Sequence, residues 1–136
     1  MHACILSTGF ACRLGGAVAS KALIPFLGRP LVDHMLEVLS HWGVEAATLL
    51  ARGSQDLGVL QRAVDDAALP CTAAHADDWL GVFGWLQGWA ANADVPMLIV
   101  NGDLLLSRSW GMLSVAHRDA GADLTMAATR VPGGDG

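Results

Sequence analysis

Three side chains in this 136-residue sequence have the type and placement to handle phosphate: Arg13 and Lys21, close together in one segment of small residues, and Asp103, just behind the apolar run Pro96 to Val100. Arginine and lysine supply positive charge locally in a chain whose net charge is −5. Backbone N–H groups of a small-residue loop at a strand end can approach an anion closely, and Gly9 provides the freedom such a loop needs. A single carboxylate suits a hard divalent cation whose remaining ligands are water and phosphate oxygens. Two named phosphate loops fail on spacing. Gly9 is followed at position 11 by Ala11, and no third glycine completes GxGxxG; Lys21 lacks the preceding glycine and the following Ser or Thr of GxxxxGK[ST].

The elements that must position these residues follow from hydrophobic patterning. Ala3 to Leu6 reads as a buried strand that empties into the Arg13 segment. From Pro30 to Trp42, Leu31, Met35, Val38 and Leu39 recur at helical spacing, with Asp33 in the first turn and Gly43 as the stop. Val44 to Ala51 is a second buried strand, so the chain opens with a βαβ unit and a parallel sheet. A helix is predicted over Ser54 to Ala68, a weak strand over Cys71 to His75, and a helix over Leu80 to Ala91 that is apolar nearly all round and should be covered on both sides. Pro96 to Val100 is a further buried strand. Ser109 to Ala120 reads as a helix capped by Ser107 or Ser109, and Asp123 to Val131 as a last strand. The expectation is a single domain over 1–136: a Rossmann-like three-layer α/β/α sandwich with a mainly parallel sheet of about five strands.

Composition narrows the function classes. A hydrophobic fraction of 53% with 15% charged residues excludes disorder. The acidic balance and the absence of a basic run argue against nucleic acid. Cys4, Cys12 and Cys71 stand in no CxxC or Cys/His spacing, so neither a disulfide framework nor zinc is indicated and a reducing cytoplasm is expected. No signal peptide is read at the N-terminus, and the longest uncharged stretch, Trp79 to Ala93, is broken by glycines and falls short of a membrane span.

The opening stretch LSTGFACRLGGAVASKALIPFLGRPLVDHML resembles the signature of the sugar-nucleotide pyrophosphorylases, roughly LAAGxGTRLxPLTxxxPKxLxPxxGxPLxxHxL. The likeness continues more weakly through LGVFGWLQGW, VNGDLL and GADLTMAATRVP. Against that pattern, Ala11 replaces the second glycine, Cys12 a threonine or serine, and Ser20 the proline before the lysine; Val82 and Phe83 replace small residues near the base. The resemblance implies a nucleotide-diphospho-sugar transferase-like fold, truncated here, because the family's chain continues for about as long again. It implies a nucleotidyltransferase that joins a sugar 1-phosphate to a nucleoside triphosphate with Mg2+ and releases pyrophosphate. Arg13 and Lys21 would be catalytic, Leu6, Gly9, Ala11, Arg13 and Gly81 would bind the nucleotide, and Asp103 would hold the metal.

Other candidates have ordinary explanations. His34 is expected to be satisfied by a nearby carbonyl. Asp65-Asp66 and Asp77-Asp78 point apart as neighbours do and read as surface charge. Ser7 and Ser20 have no adjacent base, so no nucleophilic triad is supported. Trp85 and Trp89, one turn apart, suit a core or interface more than a base-stacking platform, and their face is expected to be partly exposed and to meet a second copy or a partner. Two rival functions remain at this level: a degenerate or truncated nucleotide-binding domain acting as an interaction or regulatory module, and a nucleotidyltransferase for an alditol or other non-sugar phosphate.

Overall fold

The computed structural model describes residues 1–7, 20–51, 57–76 and 79–128. Strand β1 (His2–Ser7) lies inside the sheet. It pairs in parallel with β4 (Ala46–Ala51), from His2 opposite Ala46 to Ser7 opposite Ala51. On its other side it pairs in parallel with β6 (Met97–Asn101), from His2 opposite Met97 to Leu6 opposite Asn101. Strand β5 (Cys71–His75) adds to the far edge of β4, giving the order β5-β4-β1-β6. The chain therefore winds outward from β1 through β4 to β5, then returns to the opposite side of β1 to lay down β6. The winding direction reverses between β1 and β6.

Alternation along the strands assigns the two faces. Ala3, Ile5, Ala47 and Leu49 point into one core with Val32, Met35, Leu36 and Leu39 of helix α1 (Leu31–His41) and Leu60 and Val64 of α2 (Leu57–Val64). Cys4 and Leu50 point the other way, toward Val82 of α3 (Trp79–Ala90). The expected three-layer α/β/α arrangement with a parallel sheet is thus present. Helix α1 presents its buried residues along one stripe, and Gly43 ends it at φ +79°, a backbone state that costs glycine little. Before it, a short hairpin of β2 (Pro25–Phe26) and β3 (Arg29–Pro30) turns through Leu27 and Gly28, both at positive φ. Arg29 then bridges Asp33 and Glu37 across successive turns of α1.

Three expectations need correction. No strand is present at 123–128, and 129–131 lie outside the described residues, so the described sheet has four strands. The segment predicted as one helix from Ser109 begins as a 3-10 turn, Arg108–Gly111, capped by Ser107, and becomes α4 only at Met112–Ala120. Helix α3 is covered on one side only: Val82 is buried and Trp85 and Leu86 pack on the sheet, whereas Leu80 and Phe83 lie bare. Its uniform apolar character reported the composition of the helix but not the number of layers over it. Trp85 and Trp89 are half-buried, and the Trp89 ring sits 5.5 Å from that of His2.

Candidate functional site at the carboxyl rim of the sheet

In an open parallel sheet, ligands bind beyond the carboxyl ends of the strands where the winding reverses. Here that place is the rim shared by β1 and β6. Two neighbouring features set its shape. The N–H of Gly102 donates to the carbonyl of Leu6 at 2.9 Å. A Cβ at Gly102 would stand 3.1 Å from that same oxygen and 3.4 Å from the Ser7 Cα. The glycine lets the chain leaving β6 fold over the end of β1, which places Asp103 above it. On the β1 side, Ser20 opens a one-turn 3-10 helix, Lys21–Leu23, and its side chain accepts from the Ala22 N–H.

Across this rim the Lys21 Nζ donates to the Asp103 Oδ2 at 2.9 Å, with the two side chains 33% and 43% exposed. Residues 82 positions apart in sequence thus meet. Lys21 is the sole lysine of the chain. A pair this exposed contributes roughly 0–1 kcal/mol to stability. Its charges are therefore cheap to re-partner: a phosphate can take the ammonium and a cation the carboxylate.

Leu6 adjoins the same rim, its carbonyl occupied by Gly102. Gly81 lies in the first turn of α3, on the opposite face of the sheet from α1. Arg13, Gly9 and Ala11 lie outside the described residues. Sequence reasoning missed Gly102 and the pairing of Ser7 with Ser20. His34 behaves as expected of a structural histidine: its Nε2 donates to the Phe26 carbonyl at 2.8 Å and its Nδ1 accepts from Arg29.

Elsewhere, a cavity of about 400 Å3 opens at the other end of the strands, among Met1, Glu45, Pro96, His117 and Thr125. It faces the amino ends, where neither Lys21 nor Asp103 reaches, and an α/β sheet does not place its chemistry there. Cys4 and Cys71 are buried free thiols whose pKa burial pushes up to about 12. They are inert at neutral pH. Among the described residues no cluster of three or more His, Cys, Asp or Glu could hold a metal. No helix among the described residues is long and apolar enough to cross a membrane.

A parallel α/β sheet that joins a basic and an acidic side chain at its reversal point places both where doubly wound proteins bind their ligands. Comparison with known proteins makes the class specific. The chain belongs to the MobA-like NTP transferase domain family, whose model matches residues 3–134. It is 27% identical over 139 residues to probable mannose-1-phosphate guanylyltransferase 3 of Oryza sativa subsp. japonica, covering 96% of this chain and 38% of that one. Mannose-1-phosphate guanyltransferase of Debaryomyces hansenii is 25% identical over 138 residues, with the same coverage of 96% and 38%. The chain thus spans well under half the length of these curated relatives. A solved UDP-glucose pyrophosphorylase in complex with UDP-glucose superposes with a TM-score of 0.63 at 11% identity, over 88% of this chain and 54% of that one. HddC from Yersinia pseudotuberculosis superposes with a TM-score of 0.61 at 17% identity, over 90% and 54%. These superpositions bear out the fold, and the family bears out the resemblance read from the opening motif.

Proposed function

We propose that this chain carries the nucleotide-binding part of a sugar-1-phosphate nucleotidyltransferase, and that the β1/β6 rim grips the triphosphate. The observation that carries the reading is the meeting of Lys21 and Asp103 at 2.9 Å at the point where the winding reverses. In the reaction, an oxygen of the sugar phosphate forms a bond to the α-phosphorus of the nucleotide while the bond to the β-phosphate bridge breaks, and pyrophosphate leaves. This transfer asks for alignment of two anions and neutralisation of their charge more than for proton transfer.

The residues at the rim suit that task. The Lys21 ammonium can release Asp103 and take a phosphate oxygen as a compact charge, and Arg13, from the motif, would add a fork of donors. Leu6, Gly9 and Ala11 would bring backbone close to the nucleotide, and Gly81 would let α3 approach the base. Asp103 is a partly exposed hard oxygen donor with room for water and phosphate ligands, which fits Mg2+ held by one carboxylate. When bound, that ion supplies charge neutralisation on the triphosphate. A guanosine or uridine triphosphate and a hexose 1-phosphate are the substrates by analogy with the relatives' names, and a cytoplasmic location accords with the buried free thiols.

The test is a melting-temperature screen of the chain with each of four nucleoside triphosphates, with and without Mg2+. A nucleotide-specific stabilisation that needs Mg2+ and is lost in Asp103→Asn supports the reading. No stabilisation by any of the four overturns it. Product formation from hexose 1-phosphates, as against alditol or choline phosphates, then names the acceptor.

A further inference from the structure

Beneath the rim, two hydroxyls face one another with almost no access to solvent: Ser7 Oγ and Ser20 Oγ are 2.5 Å apart, and the residues are 4% and 0% exposed. Ser7 is the last residue of β1 and Ser20 the cap of the turn that carries Lys21. The Ser20 oxygen also accepts the Ala22 N–H at 3.3 Å, and the Ser20 carbonyl accepts the Leu23 N–H at 3.0 Å. Ser20 therefore joins the end of the central strand, through its hydroxyl, to the turn just after Lys21, through its hydroxyl at Ala22 and its carbonyl at Leu23.

In the motif pattern above, alanine stands at the first of these positions and proline at the second. Proline fixes its φ near about −65° and so stiffens the approach to the lysine by its ring. Ser20 has φ −154°, far outside what proline can adopt. The backbone here follows a different path, and the stiffness has to come from elsewhere. A buried hydroxyl pair is a suitable replacement, because breaking it leaves a polar group without a partner in a place water does not reach.

We propose that Ser7 and Ser20 form a latch that positions Lys21 over the carboxyl end of β1 and holds it opposite Asp103. The two serines are positioning residues: neither needs to touch the nucleotide. The proposal rests on the reading of the rim as the phosphate site for its consequence, and on geometry alone for its existence. It also explains how a chain departing from the pattern at the residue before its lysine still presents that lysine at the rim.

The single lysine makes the latch measurable without any ligand. The intact chain labelled at the lysine ε-carbon gives one side-chain resonance, and Asp103→Asn gives the value for an unpaired Lys21. In Ser20→Ala and in Ser7→Ala the resonance should move toward that unpaired value while a cooperative melt persists, and the double variant should move it no further than either single. Where Ser20→Ala does not fold, Ser7→Ala breaks the same bond from the strand side and decides the matter. An unchanged lysine resonance in a folded Ser7→Ala or Ser20→Ala variant overturns the latch. So does a double variant whose shift is the sum of the singles.

Nucleotide binding separates this from the functional reading. If the unaltered chain binds a triphosphate with Mg2+, either serine variant should weaken it by about fivefold, the effect of one lost hydrogen bond. An undiminished affinity overturns the latch while leaving the function standing. If the unaltered chain binds no triphosphate, the proposed function fails and the lysine resonance alone judges the latch.

Discussion

The two flanks of β1 are built differently. On the β4 side, strands, α1 and α2 enclose a core of Ile5, Leu36, Leu39, Leu49 and Leu60, all fully buried. On the β6 side, Ile99 is 49% exposed, and no described strand pairs with the outer edge of β6. The rim site straddles this boundary, with Lys21 reached from the packed flank and Asp103 from the open one. A site placed there has one wall backed by the buried core and one wall on the outermost described strand.

The contrast is broken most severely by Leu49→Ala, which removes a fully buried side chain from the β4 side and should cost about 2–5 kcal/mol in denaturant unfolding. Next, Gly102→Ala should cost about 1–3 kcal/mol, because a Cβ at 3.1 Å from the Leu6 carbonyl makes the backbone at the rim give by a few tenths of an ångström against its hydrogen bond. The same variant should weaken triphosphate binding, which distinguishes it from an equally destabilising change remote from the rim.

A pH series sharpens the comparison from the other end of β1. Burial, aided by the terminal ammonium, holds His2 below its usual 6.5, and its Nε2 lies 3.0 Å from the Thr48 hydroxyl. The unfolded chain therefore takes up the proton first, and stability should fall as pH drops from about 7 toward 5. Melting temperatures measured across that window in the unaltered chain and in His2→Gln should show a shallower fall in the variant. Smallest of all, Ile99→Ala on the open flank should cost less than about 1 kcal/mol by the same denaturant measurement. A cost matching that of Leu49→Ala would abolish the distinction between the flanks.

What was legible in the sequence divides along the same boundary. The βαβ opening, the strand at Cys71–His75 and the helix over 79–90 follow from periodicity, since each buries at least one face. The rim was legible because an apolar strand ending in Asn-Gly-Asp and a strand ending in a basic loop must share an edge of a parallel sheet. The absence of a strand over 123–128 was not, because the pattern there describes a segment suited to pairing but not whether a neighbour is there to pair with. The bare face of α3 was missed for the same reason. The pairing of Ser7 with Ser20 escaped notice because they lie 13 residues apart, and hydroxyl pairing across a loop leaves no periodic trace. Their signal was the loss of the pattern's proline at position 20, which invites the question of what replaces it.

The account turns on whether Lys21 and Asp103 hold one polyphosphate between them. Calorimetric titration of magnesium-loaded nucleoside triphosphate into the unaltered chain, Lys21→Met and Asp103→Asn tests this directly. The account predicts binding to the unaltered chain and affinity reduced by about tenfold or more in both variants, with dependence on Mg2+ kept in Lys21→Met and lost in Asp103→Asn. Equal affinity and equal dependence on Mg2+ in all three proteins would contradict it.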